Sequence, residues 1–234
     1  MELAVLLLYG LALLLLFLYN CGQLSLIISY LRTKQRRDRQ ARTLLPTAQL
    51  PVVTVQLPVY NELYVVERLI DAVAQLNYPV DKLEIQVLDD STDETVSIIA
   101  DRIAHYQRQG IPIEHVRRPE RVGFKAGALA YGLTFAKGEF VAIFDADFVP
   151  DPDFLLKTVP HFADPKVGIV QTRWEHLNEN FSLMTQLQAF GLNAHFTIEQ
   201  SGRYEAGYLA NFNGTGGSGE RRLLPMPVAG RATR

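Results

Sequence analysis

The stretch Val141-Ala142-Ile143-Phe144-Asp145-Ala146-Asp147-Phe148-Val149-Pro150-Asp151 decides how this chain is read. An apolar run of strand length ends abruptly in two carboxylates. Side chains alternate faces along a strand, so residues i and i+2 point the same way. If the strand persists, Asp145 and Asp147 converge on one point and Ala146 turns away. Converging carboxylates at the end of a buried strand are costly unless a cation or strong donors neutralise them. A hard divalent ion that keeps some waters and also binds phosphates would do so. An Asp-rich turn after a strand, punctuated by Pro150 and Pro152, accounts for the same residues without a ligand.

The chain upstream bears on that choice. Val52–Leu57 is rich in β-branched residues and reads as a buried strand ended by Pro58. Asn61 is placed to cap a helix, with Glu62 near its positive end and Leu63, Val66, Leu69, Ile70, Val73 and Leu76 at helical spacing. Leu83–Leu88 makes a second strand ending in Asp89-Asp90, and Ser91 with Glu94 matches a capping box for a helix that Gly110 stops. Pro112–Val116 is a short strand, followed by a loop carrying Arg117, Arg118 and Arg121. Lys125–Ala136 reads as a helix weakened by Gly127 and Gly132, and Phe140–Phe144 is the fourth strand. Alternating strands and helices imply an α/β fold with a mainly parallel sheet, whose ligand crevice lies at the carboxyl ends of the strands. Both acidic pairs, Asp89-Asp90 and Asp145/Asp147, fall at that edge.

Bulk properties agree with an enzyme-sized domain. The 234 residues suffice for one domain with a substantial core plus an accessory segment, and the net charge of −2 argues against a nucleic-acid binder. Cys21 is the only cysteine and the five histidines show no HExxH spacing, so neither an internal disulfide nor a zinc site is expected. Leu3–Leu31 carries no charge and exceeds the roughly 20 residues that span a bilayer. A signal peptide has a shorter apolar core behind a basic region, whereas only Glu2 precedes this run. The expectation is a transmembrane helix over 1–31 and a basic linker over 32–49 containing Arg32, Lys34, Arg36, Arg37, Arg39 and Arg42. The positive-inside rule then puts the domain after residue 50 in the cytoplasm.

Four motifs, in this order and spacing, resemble family-2 inverting glycosyltransferases, which have a nucleotide-sugar-binding A-type domain: Leu57-Pro58-Val59-Tyr60-Asn61-Glu62, Val87-Leu88-Asp89-Asp90-Ser91-Thr92-Asp93, Gly123-Phe124-Lys125-Ala126-Gly127-Ala128-Leu129 and Phe144-Asp145-Ala146-Asp147. The likeness continues through Val170–Trp174, His195–Gln200 and Phe212–Gly217, and is closest in character to the cellulose-synthase-like branch with its β-mannan and glucan synthases. The resemblance implies that Pro58, Tyr60 and Glu62 form the loop holding the nucleoside, that Asp89 and Asp90 accept from base and ribose, and that Lys125 lies near the donor phosphates. It implies that Asp145 and Asp147 hold Mg²⁺ or Mn²⁺ on the diphosphate, Asp145 also touching the donor, and that Asn213, Gly214 and Thr215 line the acceptor terminus. The reaction implied is transfer from UDP-glucose or GDP-mannose to a growing polysaccharide with inversion, or to a lipid acceptor such as ceramide or polyprenyl phosphate.

Relatives continue into a Thr-Glu-Asp motif with the catalytic base, a Gln-x-x-Arg-Trp motif and further membrane helices, none of which follows Gly217 here. The expectation is a donor-binding domain over 50–217, a disordered tail over 218–234, no assignable base, and no turnover by this chain alone. Two rivals stand beside this. Asp145-Ala146-Asp147-Phe148-Val149 also fits the DxDx[TV] pattern of aspartate-nucleophile phosphohydrolases, although that family opens with the motif and here three strands precede it. The other rival is a nucleotide-sugar binder without catalysis.

Overall fold

The computed structural model describes residues 2–37, 49–205 and 212–221. The chain divides into two compact units, residues 1–41 with 173–211 and residues 42–172 with 212–234. The expected 50–217 domain is therefore interrupted, because 173–211 groups with the N-terminal helix.

The second unit is a six-stranded sheet in the order β3-β2-β1-β4-β6-β5. Its strands are β1 (Val53–Val59), β2 (Leu83–Asp89), β3 (Ile113–Val116), β4 (Phe140–Ile143), β5 (Ile169–Gln171) and β6 (Gly217–Glu220). The first four pair in parallel, while β6 runs antiparallel to both β4 and β5. The parallel strands are joined by α2 (Val66–Ala74), α3 (Thr95–Gln107) and α4 (Phe124–Leu133), with α5 (Phe154–Thr158) after β4. One sheet face is apolar: Val53, Val55, Leu57, Ile85 and Val87 pack on Val66, Leu69, Ile70, Val73, Ile99 and Ile103. The other face buries polar strand residues. Thr54 donates to Glu84 at 2.5 Å and Gln56 Nε2 donates to Gln86 Oε1 at 3.0 Å. α4 crosses this face with Gly132, where a Cβ would lie 2.6 Å from Gln56 Nε2. These paired side-chain hydrogen bonds offset part of the cost of burial, although Gln56 Oε1 and Gln86 Nε2 stay without a protein partner among the described residues.

Several local expectations change. β1 continues through Pro58 to Val59; β4 accompanies β1 only as far as Gln56–Ile143, so Pro58 sits where one ladder has already ended. Asn61 does not cap α2, which starts four residues after Glu62; Asn61 adopts a left-handed φ of 55°, which Asn tolerates. Ser91 is not a helix cap either. It is buried, and α3 starts at Thr95, whose N–H donates to Asp93 Oδ1 at 3.0 Å. The expected disordered tail fails at its start, since Ser218–Glu220 lie in β6. Glycine-rich sequence carries no side-chain period, yet β4 and β5 both present backbone groups that only a strand between them satisfies.

In the first unit, α1 (Glu2–Arg37) is one continuous helix, and Glu2–Arg32 is apolar and long enough to cross a membrane. The expected linker thus begins as helix through Arg37, while Arg39 and Arg42 lie outside the described residues. Ser182 caps α6 (Leu183–Ala194) in a capping box with Thr185, after which the helix widens to π geometry over His195–Gln200 and resumes as α7 (Ser201–Glu205). Gly202 meets α1 closely: a Cβ there would lie 2.6 Å from the Leu26 carbonyl oxygen.

Candidate functional site

The carboxyl ends of β2, β1 and β4 form a cleft of about 390 Å³ lined by Pro58, Val59, Tyr60, Glu62, Asp90, Arg121, Lys125, Ala128, Asp145, Ala146 and Asp147. Seven of the sequence-predicted residues meet there: Pro58, Tyr60, Glu62, Asp90, Lys125, Asp145 and Asp147. Asp89, Asn213, Gly214 and Thr215 are not on the cleft wall.

The loops after β1 and β2 are stapled together. Asn61 N–H donates to Ser91 Oγ at 2.9 Å, and Thr92 N–H donates to Asn61 Oδ1 at 2.9 Å. The Asp89 side chain is fully buried beneath them. It accepts from Ser91 N–H and from His115 Nε2, each at 2.8 Å, with Arg117 Nε 3.6 Å away. Burial alone pushes the Asp89 carboxyl up, but the hydrogen bonds from His115 and Ser91 outweigh it and hold the group below the usual carboxylate range. Asp89 therefore organises the loop from behind. Asp90 faces the cleft and is gripped by Arg118 through Nε at 2.8 Å and Nη2 at 2.6 Å, with both side chains largely buried. Arg118 also donates to the Val122 and Phe124 carbonyls, tying Asp90 to the loop that opens α4. That loop turns through left-handed Gly123 (φ 73°) and Phe124 (φ 48°). A Cβ on Gly127 would lie 1.9 Å from the Val122 oxygen, so the loop can fold back onto α4 only over a glycine.

The β4 side is built differently. The strand ends at Ile143, so Asp145 and Asp147 do not alternate along a strand as expected; they occupy a turn closed by Phe148 N–H to the Asp145 carbonyl at 3.0 Å. Both still line the cleft, because buried Phe144 pins the turn in a cluster with Phe148 and Phe154. Thr215, 3 % exposed, accepts the Asp145 N–H on its hydroxyl at 2.8 Å. Thr215 thus supports the acidic turn from beneath, and Asn213 N–H is held by Gln171 Oε1 at 3.0 Å. Lys125 Nζ donates to Asp145 Oδ1 at 2.5 Å. Desolvation at the cleft wall, then the charges of Asp147 and Asp145, push the Glu62 carboxyl above its ordinary range.

These acids repel one another with one ammonium among them, which suits a cation. Among the described residues no group of three or more His, Cys, Asp or Glu is arranged to enclose a metal. The acidic turn fits an ion held by one or two carboxylates and completed by water and phosphate oxygens. The residues that sequence reading missed are Arg118, Arg121, Asn61, Ser91 and His115. The signal available for the arginines was their clustering in the loop after β3, at the same sheet edge as the acidic pairs.

The family profile described as glycosyl transferase family 2 matches residues 54–224. The chain belongs to that family. Among curated relatives it is 46 % identical over 176 residues to a probable glucomannan 4-beta-mannosyltransferase 2 of Oryza sativa subsp. japonica, covering 73 % of this chain and 30 % of the relative. It is 43 % identical over 185 residues to a probable glucomannan 4-beta-mannosyltransferase 1 of Arabidopsis thaliana, covering 77 % and 33 %. The chain thus spans about a third of the length of these relatives. Among solved structures it is similar to a mannosyltransferase of Pyrobaculum calidifontis in complex with GDP-Man and Mn²⁺, with TM-score 0.63 and 30 % identity over 88 % of this chain and 55 % of that one. The family-2 resemblance and its cellulose-synthase-like, mannan-synthase character are borne out, as is the mainly parallel α/β fold. The phosphohydrolase reading falls with them.

Proposed function

We propose that the chain provides the donor-binding half of a membrane-anchored β-mannosyltransferase that moves mannose from GDP-mannose to a growing polysaccharide with inversion. The observation that carries the reading is the cleft itself. Its Asp145/Asp147 turn and Lys125 lie beside β4, and Asp90 and Tyr60 complete the wall toward β2. The curated relatives named glucomannan mannosyltransferases and the neighbour holding GDP-Man and Mn²⁺ support mannose, guanosine diphosphate and a divalent ion.

In this reading the acceptor hydroxyl attacks the anomeric carbon from the face opposite the departing nucleoside diphosphate. Asp145 and Asp147 would hold Mg²⁺ or Mn²⁺, which when bound would supply positive charge against the diphosphate. Lys125, whose ammonium rests on Asp145, donates to a phosphate oxygen. Tyr60 and Asp90 face the nucleoside, and Asp89 fixes their loop through Ser91 and His115. The Glu2–Arg32 apolar helix anchors the domain at the cytoplasmic side, where nucleotide sugars are available.

Binding of GDP-mannose to the purified chain in detergent tests this, with and without Mn²⁺. Asp147→Asn removes a charge while keeping shape, and Mn²⁺-dependent affinity should fall about tenfold or more, the worth of one charged contact. An identical metal response in both proteins would refute the role of Asp147.

A further inference from the structure

The cleft wall separates into two poles, and one residue at the β2 pole, Arg121, packs on aromatic rings without spending its hydrogen-bond donors. β2 and β4 flank β1 on opposite sides. Neighbouring strands lie about 4.8 Å apart, so the two poles are separated by roughly 10 Å. The β4 pole holds Asp145, Asp147 and Lys125, the groups suited to a metal and phosphates. A nucleotide with its diphosphate there would have only the β2 end of the cleft to extend its base into, where Asp90, Tyr60 and Arg121 stand.

Arg121 differs from its neighbour Arg118. Arg118 spends its fork on both Asp90 oxygens and on two carbonyls. The Asp90 charge is therefore already matched, and Arg121 Nε reaches the same carboxylate only at 3.8 Å, beyond hydrogen-bond range. Among the described residues Arg121 makes no other ion pair or hydrogen bond. Its guanidinium carbon instead sits 3.3 Å from the centre of the Tyr60 ring and 5.0 Å from that of Phe124. At 3.3 Å a planar guanidinium lies flat on the ring. All five N–H donors lie in the guanidinium plane, so stacking leaves them directed sideways and available. The group is thus pre-organised against an aromatic face, with its donors unspent, on the wall where the base arrives.

We propose that Arg121 selects the base of the donor nucleotide, taking a 6-oxopurine through the paired acceptors of its O6/N7 edge. This rests on the donor-cleft reading above and adds its base specificity. Guanine offers O6 and N7 to a bidentate guanidinium. Uracil offers O4 beside a C–H, so it satisfies one donor of the fork and leaves the second facing carbon. The difference between two bonds and one is worth about tenfold to a hundredfold in affinity.

The test is equilibrium binding of GDP, IDP, 7-deaza-GDP and UDP to the full chain in detergent with Mn²⁺. IDP keeps both O6 and N7, whereas 7-deaza-GDP loses N7 alone. The wild type should bind GDP and IDP alike and both 7-deaza-GDP and UDP at least about tenfold more weakly. Arg121→Met keeps a long side chain on Tyr60 but removes every donor. In it GDP and 7-deaza-GDP should converge, while UDP affinity changes less than about threefold. A second variant, Arg121→Lys, keeps a donor cation and should retain part of the GDP preference. Equal binding of GDP and 7-deaza-GDP by the wild type overturns the inference, and so does an equal loss of GDP and UDP in Arg121→Met, which marks a purely structural brace. Metal-dependent binding that favours UDP overturns the inference while leaving the donor cleft intact. Failure of every nucleotide to bind overturns both.

Discussion

Asp89 and Asp90 are adjacent in sequence and opposite in use. Asp89 is sealed below the loop by His115 and Ser91, and Asp90 is presented to the cleft on the fork of Arg118. Asp89→Asn replaces an acceptor with an amide that faces the Ser91 N–H, and should cost about 2 kcal/mol in a denaturant titration of the wild type and variant. The folded-state carboxyl is lowered from 3.8, so its stabilisation is fully present above that value and is lost as pH falls through the lower folded value. The wild type should therefore lose more stability than Asp89→Asn on acidification below pH 3.8, and parallel pH profiles would contradict the assignment. Thr215→Val removes the hydroxyl that accepts the Asp145 N–H. It should weaken Mn²⁺-dependent donor binding by about tenfold, from loss of a buried hydrogen bond under the acidic turn, and unchanged metal response would show that the turn holds itself. The sequence made the cleft-facing acids legible because charge at a strand end is conspicuous. The supporting role of Thr215 was not legible, since it depends on a strand pairing 70 residues away from Asp145.

Among the elements, the loop before α4 joins the two poles of the cleft, because Arg118 holds its backbone to Asp90 and Lys125 in its first turn reaches Asp145. Gly127 makes this geometry possible. An alanine within a helix ordinarily stabilises by up to about 1 kcal/mol relative to glycine. Here its Cβ would meet the Val122 oxygen at 1.9 Å and Arg118 Nη1 at 2.6 Å. Gly127→Ala should therefore invert the usual sign, lowering thermal stability and donor affinity together; a stabilised variant with normal binding would show that the loop relocates freely. Helical spacing disclosed α2, and the turn and stop residues and local composition disclosed α3 and α4, because all of these are local information. Their starting points were misjudged wherever a side chain bonded across loops instead of capping its own helix, as Asn61 and Ser91 do. Ser182, by contrast, caps its own helix because its partner Thr185 is in the same turn. β6 escaped notice for the opposite reason: Gly217–Glu220 carries no pattern of its own and becomes a strand only between β4 and β5.

At the scale of the whole molecule, the sheet unit carries the candidate cleft and the N-terminal helix bears on where the chain resides. α1 exposes Leu6, Leu7, Leu8, Leu15, Leu16 and Phe17 around its circumference, without an apolar stripe of helical period. A helix apolar on all sides is suited to lipid and not to one protein face. Its apolar length of 31 residues over Glu2–Arg32 exceeds the roughly 20 needed to cross a bilayer, which permits tilt or an interfacial end. The asymmetry of charge motivates the proposed direction. Glu2 is the only charge before the apolar run, whereas Arg32, Lys34, Arg36 and Arg37 follow it on the same helix. Cationic flanks within about 15–20 residues of a span remain cytoplasmic. The chain should accordingly partition with membranes in carbonate extraction, and protease added outside intact cells should leave residues 50–221 uncut. Deleting residues 2–32 should release the sheet unit from the membrane fraction. Protein that resists carbonate extraction but is digested from outside would reverse the orientation, and a wild-type chain released by carbonate would remove the span altogether.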